Sequence, residues 1–126
     1  MTGKRHEYQV VATWTGNLGE GTARYAAYSR DHDVSGEAKP TIPGTADPAL
    51  GGDLTRWNPE ELSVASLSQC HMLEFLARAA RADVVVTRYV DEPSGVMIAF
   101  CGAFTLTFGS GPLGWLLHVR RQATLR

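Results

Sequence analysis

The run Asn58-Pro59-Glu60-Glu61-Leu62 constrains this chain more than any other stretch, because it fixes where a long helix begins. Asn58 can accept from the orphan N–H groups of a first helical turn. Proline suits the position after it, where a missing N–H costs nothing. Glu61 stands three residues after Asn58, the spacing of a capping box. The residues Glu60–Ala82 are rich in alanine and leucine and hold no internal glycine or proline, so they read as one continuous helix. Cys70 lies deep inside it. A cysteine so placed is either a small core residue or a nucleophile.

Around this helix the chain reads as strands and turns. Tyr8–Trp14 has strand propensity and runs into a Thr15-Gly16-Asn17 turn. Gly21–Arg30 reads as a second strand, antiparallel to the first across a Gly-rich hairpin. His32–Glu37 reads as a short third strand. Lys39–Thr55 carries Pro40, Pro43, Pro48 and several glycines and reads as a loop, long enough to be functional or to cover a neighbour. After the helix, Asp83–Val90 is a β-branched run, Asp91–Gly95 a turn, and Val96 the start of a return strand. The sum is an α+β chain, antiparallel strands packed on a long central helix, in a single domain over 1–126.

Ile98–Val119 contains no Asp, Glu, Lys or Arg and approaches the length that spans a bilayer. Gly109-Ser110-Gly111-Pro112 interrupts it, and Thr105 and Thr107 alternate with Leu106 and Phe108. Two strands joined by a turn explain it better than a membrane helix. The basic tail Arg120–Arg126 reads as frayed.

Charge narrows the function classes. A net charge of −1 with 20% charged residues gives no broad attraction to nucleic acid or to an anionic membrane. The two cysteines, Cys70 and Cys101, form neither a disulfide scaffold nor a zinc motif. No metal and no cofactor are expected. Met1–Glu7 is polar and lacks an apolar signal segment, so a reducing cytoplasm is the expected setting.

Several stretches taken in order resemble the OsmC/Ohr superfamily. They are Trp14-Thr15-Gly16-Asn17, Tyr28-Ser29-Arg30-Asp31-His32, and Asn58-Pro59-Glu60-Glu61-Leu62 leading to Gln69-Cys70-His71-Met72. The Val84–Thr87 strand and the Asp91-Glu92 hairpin also fit, so the resemblance covers about residues 8–97. It implies an intertwined homodimer with two sites at the subunit interface. Each site would reduce an organic hydroperoxide, and a dithiol of the lipoyl type would restore the enzyme. Carried over, Cys70 is the peroxidatic cysteine and Glu60 the carboxylate that holds an activating arginine. Nothing after Met97 resembles the family's segment with the resolving cysteine, and Cys101 comes too early for that role, so residues 98–126 are atypical. The alternative is a non-enzymatic, single-cysteine OsmC-like protein that binds an apolar ligand or senses oxidants. A further alternative is a truncated, inactive remnant.

Site chemistry adds its own conditions. Only a thiolate attacks a peroxide, and Cys70 is too far along the helix for the N-terminal dipole to help. A cation must do so, and arginine can bridge thiolate, peroxide oxygen and carboxylate. The candidates are Arg56, then Arg30 and Arg24. His71 is a poor one, because consecutive helical residues point about 100° apart. Ten helical residues place Glu60 and Cys70 about 15 Å apart along the axis. Either the helix bends or Glu60 serves a partner's Cys70. Plainer readings compete: Cys70 as a packed thiol, Glu60 as a helix-start charge, Glu61 as a cap, and His71 and Met72 as packing residues. His32 between Asp31 and Asp33 reads as part of a solvated turn rather than a metal site. Trp14 and Trp57 line an apolar pocket or pack a core or interface.

Overall fold

The computed structural model describes residues 3–100, 103–107 and 118–125. Two compact units emerge, Met1–Pro59 and Glu60–Arg126.

The first unit is built on a three-stranded antiparallel sheet of β1 (Val11–Trp14), β2 (His32–Ser35) and β3 (Ile42–Gly44), in that order. The register sets Val11 opposite Ser35, Trp14 opposite His32, and His32 opposite Gly44. The predicted short strand at His32–Glu37 therefore supplies the partner of β1, and His32 stands in a ladder rather than in a turn. The strand predicted over Gly21–Arg30 does not form. Asn17 Oδ1 accepts from the amides of Gly19 (2.9 Å) and Gly21 (3.0 Å), which closes a turn. Two more turns follow, through Ala23 N–H to Glu20 O and Ala27 N–H to Arg24 O. Local bonds thus satisfy the backbone that a strand would have spent on β1. A single antiparallel bridge remains, between Asn17 and Tyr28. The Lys39–Thr55 stretch expected as a loop holds β3 and a 3-10 turn at Pro48–Leu50. Asp47 caps that turn, accepting from Ala49 N–H at 2.7 Å.

Helix α1 (Pro59–Arg81), all but its first residue in the second unit, matches the predicted helix within a residue at each end. No Gly or Pro interrupts it after its first residue, so its hydrogen-bond ladder is unbroken. It ends on a Schellman motif: Val84 N–H reaches Ala79 O at 2.9 Å and Asp83 N–H reaches Ala80 O at 3.3 Å. Asp83 takes the left-handed conformation (φ 57°) that glycine usually supplies there. Then come β4 (Val86–Ser94), β5 (Val96–Phe100), β6 (Ala103–Thr107) and β7 (His118–Leu125). Strand β4 pairs with β7, and β5 with β6, all antiparallel.

Two expectations change here. Asp91–Ser94 is not a turn but the last part of β4, which runs on because β7 pairs with it through Ser94 opposite His118. The tail expected to fray is that same β7, held by a ladder from Val86–Leu125 to Ser94–His118. The Ile98–Val119 stretch divides among β5, β6 and the start of β7, while its Gly109–Pro112 turn lies outside the described residues. Among the described residues no helix is long and apolar enough to cross a membrane.

Helix and sheet meet in the second unit through a polar pair and an aromatic pair. Ser68, buried on α1, donates to Asp91 Oδ2 of β4 at 2.6 Å. Two turns on, Phe75 and Tyr89 place their rings 5.4 Å apart. Ser68→Ala leaves a shielded carboxylate without that donor, which costs about 1–3 kcal/mol. Chemical denaturation should show a lower midpoint at unchanged slope. Wild-type stability in this variant would mean that the bond contributes nothing.

Candidate functional site

Cys70 occupies the middle of α1, and its thiol is free and exposed. Ser68 shows why. The Ser68 face of the helix packs on β4, and Cys70 lies about 160° round the axis from it at 100° per residue. Leu67 and Leu73, on either side of Cys70 on that outer face, are 39% and 61% exposed. The thiol thus sits on a solvent-facing stripe where two leucines flank it and Ser66 and Glu74 stand one turn to either side. Among the described residues no large apolar side chain is buried; the buried side chains are Thr45, Asn58 and Ser68.

Glu60 stands in the first turn of α1 with one carboxylate oxygen, Oε2, shielded from solvent and without a hydrogen-bond partner among the described residues. A helix N-terminus favours a carboxylate there. Because α1 is unbroken, Glu60 and Cys70 remain about 15 Å apart along the axis. They do not share a site within one chain. His71 faces the β4 side rather than the thiol side, with Nε2 shielded and no hydrogen bond among the described residues.

The three candidate arginines are all engaged within the first unit. Arg24 pairs with Glu20 at 2.9 Å. Arg30 lies over the rings of Tyr25 (4.1 Å) and Tyr28 (4.5 Å) and donates to Tyr28 O. Arg56 donates from Nε to Gly44 O (2.9 Å) and from Nη2 to His32 O (3.0 Å) and Asp33 Oδ1 (3.1 Å). Asp31 lies 3.8 Å from its Nε. Trp14 donates to Ser29 O and meets Tyr28 edge-on at 5.8 Å. Trp57 is half exposed, and its backbone bridges β3 in parallel at Gly44. Cys101 lies outside the described residues.

Ser68 and Asp91 were not singled out from sequence. Serine in mid-helix has no periodic signal of its own, and Asp91 carried the signature of a turn. The clue available was that Ser68, His71 and Phe75 fall on one helical face, leaving Cys70 on the opposite one.

One carboxyl has a displaced titration. Asp53 is held below its ordinary value of 3.8, first by the Thr55 backbone N–H, then by the Thr55 hydroxyl, with a smaller contribution from the charge of Arg56. A lowered folded value means that this contribution is present above the unfolded value and lost as pH falls through the folded one. Acid unfolding below about pH 4 should therefore be shallower in Asp53→Asn than in the wild type. Because Asp53 is exposed, the difference should be small and sensitive to salt. Identical acid limbs would rule it out. Among the described residues no group of three or more His, Cys, Asp or Glu could hold a metal ion.

No family model and no curated protein matches this chain. Among solved structures, an OsmC-like protein of unknown function from Vibrio cholerae O1 biovar eltor strain N16961 superposes with a TM-score of 0.79 at 25% identity. The match covers 97% of this chain and 77% of that one.

Proposed function

We propose that this chain, which has the OsmC-like fold, is a thiol-dependent peroxidase that reduces organic hydroperoxides through Cys70. The observation that supports the reading most is a free, exposed thiol flanked by two exposed leucines at mid-helix, ten residues after a shielded carboxylate. The Cys70 thiolate attacks one peroxide oxygen. The O–O bond breaks, the alcohol leaves with a proton, and sulfur is oxidised to sulfenic acid. A dithiol then attacks that sulfur, releasing water and forming a mixed disulfide. Its second thiol closes the reductant's own disulfide and restores Cys70. This cycle needs no second cysteine in the chain. Leu67 and Leu73 beside the thiol favour peroxides with a hydrocarbon tail over hydrogen peroxide.

The working unit in this proposal is a homodimer. Exposed Leu67 and Leu73 beside Cys70 support it, as does the Glu60–Cys70 separation, which a partner's Glu60 would resolve. The proposed place of action is oxidative-stress defence in the cytoplasm.

The test measures cumene hydroperoxide consumption with a lipoyl dithiol, together with mass spectrometry of Cys70 and light scattering. Turnover by a dimer, lost in Cys70→Ser, is the expected result. Cys70 sulfenic or sulfinic acid without turnover would instead favour a single-cysteine oxidant sensor. An unreactive Cys70 would overturn both readings.

A further inference from the structure

We infer that Arg56 is a positioning residue that fixes the lead-in to α1, and that it is not the cation of the thiol site. Three of its five N–H donors are taken locally. Two carbonyls and the Asp33 carboxylate take its Nε and Nη2 donors, and Asp31 stands beside it. With two carboxylates around one cation, little positive field is left for a third anion. The side chain is 23% exposed, so water replaces few of these partners.

The neighbouring backbone shows what the fork holds. Trp57 N–H donates to Pro43 O at 3.0 Å, and Thr45 N–H donates to Trp57 O at 2.9 Å. Arg56 reaches across the same junction to Gly44 O and on to β2. Thr45, 1% exposed, closes the network: its hydroxyl donates to Asp31 Oδ1 at 3.3 Å and accepts from Asp53 N–H at 3.2 Å. Arg56 and Trp57, just before α1, are thereby knitted into the sheet of the first unit. A planar fork is needed for this, because three acceptors on two strands must be met at once. A lysine ammonium on a flexible stem would reach one of them.

The test uses Arg56→Lys, Arg56→Met and Asp33→Asn in the full chain. It reads amide hydrogen exchange at Thr45 and Trp57 and the alkylation rate of Cys70 by iodoacetamide at fixed pH. The identification of Cys70 as the thiol site rests on the peroxidase proposal, whereas neither readout requires turnover. Both Arg56 variants should lose protection at the two amides by about tenfold or more, and Asp33→Asn by less. The alkylation rate should stay within about twofold of wild type in all three. Alkylation that slows about tenfold in Arg56→Met but not in Arg56→Lys would show a charge acting on the thiol and overturn the inference. Undiminished protection of both amides in the Arg56 variants would overturn it equally. A wild type that consumes no hydroperoxide sinks the peroxidase proposal and leaves these two readouts intact.

Discussion

Mixing Cys70→Ser protein with Glu60→Gln protein, under conditions that exchange subunits, is expected to restore hydroperoxide consumption that neither variant shows alone. The reason lies in helix geometry. Helix α1 is unbroken from Pro59 to Arg81, so ten residues separate the two groups by about 15 Å along its axis. A hydrogen bond, or a bridging arginine, does not close that gap within one chain. If Glu60 of one subunit serves the Cys70 of the other, a mixed dimer holds one site with both groups intact and one with neither. Random exchange makes half of the dimers mixed, so activity should recover to about a quarter of wild type. No recovery, with both variants inactive alone, would place the pair in the same chain and exclude the crossed site. A fully active Glu60→Gln would reduce Glu60 to a favourable charge at a helix start.

Gly16→Ala should destabilise the first unit severely. Gly16 O accepts from Ser29 N–H at 2.9 Å, and Trp14 Nε1 donates to Ser29 O at 2.9 Å, so the two chain segments are in close backbone contact. An added Cβ at Gly16 would lie 2.6 Å from the Ser29 carbonyl carbon and 2.6 Å from Trp14 Nε1, and closer still to Ser29 O. Real Cβ atoms do not approach backbone that closely, and backbone cannot swing aside as the end of a flexible side chain can. The segments must part, which breaks both hydrogen bonds and strains the Asn17–Tyr28 bridge. Two bonds at about 1 kcal/mol each, plus overpacking of about 1–3 kcal/mol, give a loss of about 3–5 kcal/mol. A melting temperature lowered by more than about 10 °C is the corresponding thermal signature. Gly3→Ala, where an added Cβ meets nothing, is the control and should melt as the wild type does. A Gly16→Ala protein with wild-type melting would show that the close contact between residues 16 and 29 does not exist in solution.

Some elements were legible from residues alone because their signals are local. The start of α1 could be read from Asn58-Pro59, since capping and the proline N1 preference act within a few residues. Its continuity follows from the absence of glycine and proline, and this run is one of the several stretches that carry the OsmC-like resemblance. The missed elements share a different cause. Gly21–Arg30 has strand-like composition, yet the Asn17 side chain and successive turns satisfy its backbone first. Asp91–Ser94 has turn composition, yet β7 extends β4 through it. In both, the deciding partner lies outside the window that propensity weighs.

The sequence by itself determined the helix, its thiol and the ten-residue interval from Glu60 to Cys70, because 3.6 residues per turn converts spacing into distance and direction without reference to anything else. Only the tertiary structure decided which face of that helix is free. Ser68 meets Asp91 across the α1–β4 packing and turns Cys70 outward. Only the tertiary structure, likewise, showed the guanidinium of Arg56 committed to β2 and β3. Both are choices among partners distant in the chain, and a side chain's partner is fixed by which groups folding brings within about 3 Å, not by its neighbours in sequence.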